Sequence, residues 1–217
     1  MQEYKHTKGW FNVSEIKRAL LNHVSKDQKN NILEIGCYEG LSACFFSDNI
    51  MDNEDSSLDC VDPYFPSHGN GLSEALNSST VHTNTGLGRS GTPVTGISST
   101  CVSGITEENF HHNISKSKNS SKITVHKMTS DDFFKTNKEI YNFIYIDGCH
   151  EPEFVTRDVK NGWNVLDAGG IMWMDDYKGN CNLGKDKIKR HIDKALSKFE
   201  GGFERIHQGY QLAVKKI

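Results

Sequence analysis

The sequence N-I-L-E-I-G-C-Y-E-G-L-S at residues 31–42 decides the fold of this chain. Its first five residues are mostly apolar, which is typical of a short buried strand. Gly36 and Gly40 then indicate a turn, and residues 41–50 continue with the pattern of a helix that packs back on the strand. A strand, a glycine turn and a helix form the first unit of a Rossmann-like sheet, in which ligands bind where such a turn opens.

The glycine turn departs from the fingerprint of dinucleotide-binding proteins. That fingerprint is G-x-G-x-x-G, whose middle glycine lets the backbone approach a pyrophosphate, whereas Tyr38 stands at this position here. Glu34 and Glu39 add negative charge, which repels a pyrophosphate and suits a cation or an amine. S-adenosylmethionine (SAM) has a sulfonium, a free amino group and no phosphate, so we expect it as the ligand. Because E-x-G-x-x-x-G is a short motif, a tight turn without a ligand stays open as the alternative.

Length and composition limit the classes of protein to consider. The 217 residues fit one domain, 1–217, and the net charge of -3 provides no basic field for nucleic acid. No apolar run approaches the roughly 18 residues of a membrane span, and the first residues show no signal-peptide core. The six cysteines form no C-x-x-C pair, so we expect buried reduced thiols in a cytoplasmic protein.

Strand and helix patterns alternate along the rest of the chain. Helices are predicted at 10–26, with Ser14 as N-cap, at 41–50, from Pro152 to Gly169, and at 185–199. Further strands are predicted at 58–62, 122–128, 141–147 and 171–174, followed by a closing hairpin with strands at 203–207 and 210–214 joined at Gln208-Gly209. Such alternation predicts an α/β fold, a Rossmann-like doubly wound sheet that is mostly parallel and ends in an antiparallel hairpin.

Two features follow the second predicted strand on the ligand side of the sheet. Asp62 ends that strand, about 20 residues beyond the glycine turn, where an acidic residue accepts both ribose hydroxyls of a nucleoside. The alternative is that Asp62 caps the Pro63-Tyr64 turn. Residues 67–106 are rich in Gly, Ser, Thr and Asn without a sustained period. Loops of this length are usually functional lids or disordered, so we expect an inserted flexible lid.

Carboxylates end the next two predicted strands. Asp147 follows the fourth strand, and Asp175 and Asp176 follow the fifth. Such ends are neighbours at the ligand crevice of a doubly wound sheet. Three carboxylates there repel one another unless a cation joins them, and oxygen ligands suit Mg²⁺. His150 adds a base with a pKa near neutrality. The alternative is that the two adjacent Asp residues cap a turn and His150 is a surface residue.

Four segments together resemble the class I SAM-dependent methyltransferases, and most of all the metal-dependent sugar O-methyltransferases of the macrocin and mycinamicin type. They are L-E-I-G-C-Y-E-G-L-S, V-D-P-Y, Y-I-D-G-C-H-E and A-G-G-I-M-W-M-D-D-Y. The resemblance covers roughly residues 14–215 apart from 67–106. It implies Mg²⁺ or Mn²⁺ bound by Asp147, Asp175 and Asp176, and a catalytic pair formed by His150 as general base with Asp147. Some relatives carry an Asp base where this chain has Cys149, which makes His150 the better candidate.

The resemblance also implies the cofactor site and the reaction. The implied SAM contacts are Glu34, Gly36, Cys37, Tyr38, Gly40, Ser42, Asp62, Ser130, Asp131 and Asp147. The expected partner is a small-molecule or glycan acceptor, such as a deoxysugar like rhamnose, and a homo-oligomer is compatible with the pattern. A sugar hydroxyl is a weak nucleophile, and a bound metal lowers its pKa. A histidine then removes the proton as the oxygen attacks the methyl group.

Three other functions remain open at this point. One is a catechol-type O-methyltransferase, because such enzymes also combine Mg²⁺ with carboxylates at strand ends. Another is a non-catalytic module that binds glycan or protein on the same fold. The third is nucleotide hydrolysis, since G-N-C-N-L-G-K at 179–185 resembles the start of a P-loop. Asp186 stands where a P-loop requires Ser or Thr, which disfavours this function.

Overall fold

A computed structural model of the chain describes residues 4–7, 9, 11, 13–64, 99–179 and 186–217. Seven strands form one sheet. They are β1 (Asn31–Ile35), β2 (Ser57–Val61), β3 (Ile123–His126), β4 (Tyr141–Ile146), β5 (Leu166–Met174), β6 (Phe203–Gln208) and β7 (Leu212–Lys216). Their order in the sheet is β3-β2-β1-β4-β5-β7-β6. The first five strands pair in parallel, and β7 pairs antiparallel with β5 and β6, which confirms the predicted fold class.

Helices cover both faces of this sheet. They are α1 (Val13–Leu20), α2 (Leu41–Ile50), α3 (Ser99–Ile114), α4 (Ser130–Thr136), α5 (Pro152–Val165) and α6 (Lys187–Leu196), with 3₁₀ turns at Ser120–Lys122 and Ser197–Phe199. Alternate residues of β4 enter two different cores. Ile144 and Ile146 pack in one buried cluster, whereas Phe143 and Tyr145 pack in the other. Because successive side chains of a strand point to opposite faces, these clusters are the two apolar cores, one between each face of the sheet and its helices.

Several boundaries differ from the sequence prediction; strand β7, for example, begins at Leu212, so Tyr210 lies in the turn of the hairpin and not in a strand. Three further differences concern α1, β5 and α3. Helix α1 begins at Val13, so Ser14 lies inside the helix and the predicted N-cap is wrong. Strand β5 begins at Leu166 and contains the two glycines that were expected to end the preceding helix. Helix α3 begins at Ser99, so residues 99–106 of the predicted lid are helical. The later part of α3 packs on the core, because Phe110 is fully buried against the ring of Tyr64.

Some predicted features lie outside the described residues. These are most of the predicted lid, residues 67–98, and all but the first residue of the P-loop-like motif at 179–185. Among the described residues, no helix combines the length and the apolar character that crossing a membrane requires.

The hairpin brings the end of the chain back to the ligand edge of the sheet. Strand β7 runs antiparallel to β5, and Leu212 at its start pairs with Met174 at the end of β5. The hairpin tip, residues 209–211, therefore stands beside Asp175 and Asp176, at the edge where β1, β2 and β4 also end.

Candidate active site

The glycine turn after β1 depends on close packing against β4. Gly36 has φ +83°, and a Cβ added there would overlap the carbonyl oxygen of Asp147 and lie 2.8 Å from Cα of Gly148. Gly40 has φ +78°, and a Cβ there would lie 2.9 Å from the ring of Phe110. Glycine is the residue that tolerates both the left-handed backbone and such approaches. The turn is thereby held directly against the strand that ends in Asp147.

Asp62 ties the turn to the end of β2. Its Oδ2 accepts hydrogen bonds from the backbone N–H groups of Cys37 at 2.9 Å and Tyr38 at 3.0 Å. Its Oδ1 accepts one from the N–H of Tyr64 at 2.7 Å, which is the capping contact considered as the alternative. Burial raises the pKa of Asp62, and the three N–H donors act in the opposite direction. The carboxylate thus fixes the turn, and its contact with a ribose stays a prediction.

Glu34 supports the turn from inside the core. Its side chain is fully buried and accepts a hydrogen bond from the hydroxyl of Ser42. The Cys60 thiol lies 3.6 Å from its other oxygen. Burial raises the pKa of Glu34 to about 8, and burial also raises the pKa of the Cys37 and Cys60 thiols. Burial therefore favours the neutral forms of these groups, which stabilise the turn through hydrogen bonds and packing.

Glu39 differs from its expected role as a charge facing the ligand. Its side chain is 1% exposed. Oε2 accepts a hydrogen bond of 2.6 Å from the backbone N–H of Thr7, and Oε1 accepts one of 2.9 Å from the amide of Asn109. Asn113 donates to the carbonyl oxygens of both Glu39 and Lys5, at 2.7 and 2.6 Å. Glu39 thus joins the N-terminal segment to α3, which the local sequence could not reveal.

The turn before α4 is tied to α5. Thr129 is the N-cap of α4, and its hydroxyl accepts a hydrogen bond from the N–H of Asp132. Ser130 donates a hydrogen bond of 2.6 Å to Asp158, and Asp131 pairs with Arg157 at 3.0 Å. Both predicted cofactor contacts are therefore positioned by α5.

Asp158 is a site-supporting residue that the sequence analysis missed. It is 2% exposed, and burial raises its pKa to about 7. A signal was present, because Val155, Val159 and Trp163 recur at helical spacing within this predicted helix and Asp158 lies directly beside Val159. An acidic residue on such an apolar face needs a partner.

The structure brings three of the predicted chemical groups together. Ligand atoms of Asp147, His150 and Asp176 all lie within 4.8 Å of one another. Nε2 of His150 is 3.0 Å from Oδ2 of Asp176 and 3.8 Å from Oδ1 of Asp147. The carboxylates of Asp147 and Asp176 raise the pKa of His150 to about 10, and burial raises the pKa of Asp147. A protonated imidazole therefore balances the two carboxylates in this arrangement.

Asp175 lies outside this group, although it lines the small cavity beside Asp147 and His150. Its Oδ2 accepts a hydrogen bond of 2.7 Å from the hydroxyl of Tyr145, and its Oδ1 accepts one of 2.7 Å from the N–H of Asp176. Gln211 links Tyr145 to the indole of Trp173, at 3.3 and 2.7 Å. Asp175, predicted as the third metal ligand, thus forms hydrogen bonds with Tyr145 and Asp176. The side chains of Asp175 and Asp176 diverge because successive side chains point in opposite directions at a strand end and Asp176 has φ +54°.

The group formed by Asp147, His150 and Asp176, called the three-residue group below, can hold a divalent cation. It offers two carboxylates and one imidazole nitrogen, and carboxylate oxygens are the ligands that Mg²⁺ and Mn²⁺ prefer. The charges of the group are compatible with a cation, because either a protonated His150 or a metal ion can supply the positive charge that the carboxylates of Asp147 and Asp176 require. Asp147 and Asp176 are the ligands that fit this role.

Comparison with known proteins identifies the family. A family model described as a methyltransferase domain matches residues 33–177, from β1 to just beyond Asp176. A search of curated proteins finds no match.

Solved structures share the fold. The O-methyltransferase TomG from Streptomyces achromogenes, involved in tomaymycin synthesis and solved with SAM, has a TM-score of 0.56 at 11% identity, covering 94% of this chain and 79% of TomG. Cofactor-bound Rv0187 from MTB has a TM-score of 0.59 at 11% identity, covering 100% and 84%. An O-methyltransferase from Bacillus cereus in complex with SAH has a TM-score of 0.55 at 13% identity, covering 97% and 84%. At these identities the likeness to solved structures shows the fold. The family model matches more than half of the chain, and this chain therefore belongs to the methyltransferase-domain family.

Proposed function

We propose that this chain is a SAM-dependent O-methyltransferase that transfers a methyl group to a sugar hydroxyl with the help of a divalent metal. The observation that carries this proposal is the meeting of Asp147, His150 and Asp176 at the ends of β4 and β5. The glycine turn packs against the backbone of Asp147 at the same place. A cofactor at the turn would therefore present its methyl group near the carboxylates and the imidazole.

The proposed cofactor site lies between the glycine turn and Asp62. Asp62 holds the turn through two backbone hydrogen bonds and lies at the end of β2, where ribose hydroxyls bind in related sheets. Ser130 and Asp131 form the part of the site that we propose to face the adenine of the cofactor. Both residues are anchored to α5. The SAM and SAH complexes of the structural neighbours TomG and the Bacillus cereus enzyme support SAM as the cofactor.

The proposed acceptor chemistry uses the three-residue group. Asp147 and Asp176 would hold Mg²⁺ or Mn²⁺, which when bound lowers the pKa of an acceptor hydroxyl and orients its oxygen. A bound cation would neutralise these carboxylates and so would remove the cause of the raised His150 pKa. The role of His150 is to accept, at Nε2, the proton of the acceptor hydroxyl while its oxygen attacks the methyl carbon in line with the leaving sulfur. Asp175 positions this edge of the sheet through its bond with Tyr145.

A methyl-transfer screen tests this function. Deoxysugar glycosides and catechols are incubated with radiolabelled SAM, with Mg²⁺ and in excess chelator. Chelator-sensitive transfer to a glycoside is the expected result. Transfer to catechols alone would assign the catechol-type activity instead. SAM binding in calorimetry without transfer to any acceptor would point to a binding module on the same fold.

A further inference from the structure

Tyr210 occupies an unusual position at the tip of the β6–β7 hairpin. Its side chain is 41% exposed, although it carries a large aromatic ring. Its hydroxyl donates a hydrogen bond to Oδ1 of Asp176. The ring therefore lies at the mouth of the three-residue group, with its polar end directed inward and an apolar surface directed to solvent.

The hairpin tip is anchored on both sides of this residue. The carbonyl oxygen of Tyr210 accepts a hydrogen bond of 2.9 Å from the N–H of Lys178, just beyond the two adjacent aspartates. The N–H of Gly209 donates to the carbonyl oxygen of Gln211 at 2.8 Å, and the Gln211 side chain is fully buried against Trp173. The backbone of Tyr210 is thus fixed relative to Asp176, and its partial exposure follows from this placement.

The hydrogen bond from Tyr210 to Asp176 is of the kind that a hydroxyl of a bound acceptor would make with the same carboxylate. One oxygen of this carboxylate faces the proposed base, His150, at 3.0 Å, and the other accepts the O–H of a phenol. A second hydroxyl of a sugar acceptor, next to the hydroxyl whose proton His150 accepts, would offer the same kind of O–H donor at the same edge. Exchange of one O–H for another preserves the hydrogen bonding of Asp176, and the released Tyr210 hydroxyl lies where water can reach it.

Resting on the proposed function, we propose that Tyr210 is the acceptor-contact residue of this site. Its ring is the wall on which the apolar face of a ring-shaped hydroxylated acceptor packs, and its hydroxyl holds the place on Asp176 that this second acceptor hydroxyl takes. A tyrosine suits this role because it combines a rigid apolar surface with a polar tip. Binding sites for small ligands commonly combine aromatic walls with a few polar groups.

Two substitutions separate the wall from the place-holding hydroxyl. Tyr210→Ala removes both, and Tyr210→Phe removes the hydroxyl alone. Methyl α-L-rhamnopyranoside and 3,4-dihydroxybenzoate serve as acceptor probes, and SAM affinity is measured by calorimetry. We expect Tyr210→Ala to raise the acceptor KM about tenfold or more while kcat changes by less than about threefold. We expect Tyr210→Phe to keep the acceptor KM at or below that of the wild type. SAM affinity stays unchanged in both variants.

Leu21→Ala is the matched control. Leu21 is also 41% exposed, but it lies in the turn after α1, remote in sequence from every residue of the site. The control should leave the acceptor KM unchanged. A Tyr210→Ala enzyme with a wild-type acceptor KM would overturn the proposed packing of the acceptor on the Tyr210 ring. A loss of SAM affinity as large as the rise in acceptor KM would show a general structural defect and would overturn that role as well.

Mn²⁺ alone provides a test that does not depend on the acceptor. Because Tyr210→Phe frees Oδ1 of Asp176, we expect this variant to bind Mn²⁺ about two- to fivefold more tightly than the wild type, by calorimetry or electron paramagnetic resonance. Unchanged affinity would overturn the place-holding role, as would the lack of any Mn²⁺ binding by the wild type. If the wild type methylates neither probe, the proposed function fails for those acceptors, and the Mn²⁺ titration still decides the role of Tyr210.

Discussion

The carboxylate of Asp62 accepts a hydrogen bond of 3.0 Å from the backbone N–H of Tyr38, so the side chain proposed to bind the ribose also fixes the glycine turn. Asp62→Ala should therefore affect both binding and folding. We expect SAM affinity to fall by about 1–3 kcal/mol, as for the loss of hydrogen bonds to a charged group. The free energy of unfolding without cofactor should fall as well. Calorimetry and denaturant unfolding measure the two effects.

Asp167→Ala is the control for this prediction, because Asp167 is an exposed residue near the start of β5, at the opposite end of the strand from the site. It should leave both quantities unchanged. A loss of stability in Asp62→Ala without a loss of SAM affinity would leave Asp62 a purely structural role and place the ribose elsewhere.

Gly36→Ala should separate backbone strain from steric overlap. Gly36 and Gly201 have nearly the same φ, +83° and +84°. A Cβ at Gly36 overlaps the carbonyl oxygen of Asp147, whereas a Cβ at Gly201 has no atom of the described residues within 4 Å. Gly201→Ala should cost only the left-handed backbone, about 1–2 kcal/mol. Gly36→Ala should destabilise the protein more and abolish SAM binding, because it forces β1 and β4 apart.

Thermal unfolding and SAM titration of the two variants check this prediction. Equal destabilisation of both, with SAM binding retained in Gly36→Ala, would show that the turn can shift away from Asp147 at little cost.

The buried Asp158 should make stability depend on pH. Its folded pKa of about 7 lies above the ordinary Asp value of about 4, so the folded state holds this proton more tightly than the unfolded chain. The stability contributed by this proton is complete below about pH 4 and is lost as the pH rises through 7. Asp158→Asn keeps an acceptor for the Ser130 hydroxyl and removes the titration. Above pH 7 this variant should be more stable than the wild type by about 1–3 kcal/mol.

Urea unfolding at several pH values between 4 and 8 measures this difference. The buried Glu34, with a pKa of about 8, acts in the same direction and should leave a residual slope in the variant. Asp167→Asn, at an exposed position, should retain the full wild-type slope. A slope that is the same in Asp158→Asn and the wild type would mean that Asp158 ionises freely in the folded state.

The sequence predicted the frame of the site better than its details. The apolar run and glycine turn at 31–42 and the alternation of later elements were sufficient for the fold class, because burial on both sheet faces leaves continuous apolar strands. Local pattern could not show which of two adjacent aspartates approaches both Asp147 and His150, since this depends on the backbone at Asp176, where φ is positive. Tyr210 and Glu39 reach their partners only through tertiary contacts, at Asp176 and at Thr7 and Asn109.

Asp175 and Asp176 form a matched pair for the metal assignment, because each Asp→Asn change removes one charge at neighbouring positions. Asp176→Asn should weaken Mn²⁺ binding by about tenfold or more and abolish turnover. Asp175→Asn should retain Mn²⁺ binding, since an amide oxygen can still accept the hydrogen bond from Tyr145. Calorimetry with Mn²⁺ distinguishes the two variants. Loss of the ion in Asp175→Asn alone would restore Asp175 as the ligand.

Chelation tests the same assignment in the wild type. Excess chelator should abolish turnover while SAM still binds, because the proposed ligands face the acceptor. Full activity in excess chelator would remove the metal from the mechanism.

His150 should limit the rate through its protonation state. The carboxylates of Asp147 and Asp176 raise its pKa to about 10, so without a bound cation the imidazole is protonated at neutral pH and cannot accept a proton. With Mg²⁺ present the pKa should return towards the ordinary value of about 6.5, and the rate should fall as the pH drops through this range. His150→Ala should lower turnover by about 10²–10⁴ and flatten the pH–rate profile, with Mn²⁺ binding retained. Near-normal turnover would move the base elsewhere, with Asp176 the next candidate, whereas loss of Mn²⁺ affinity would make His150 a metal ligand.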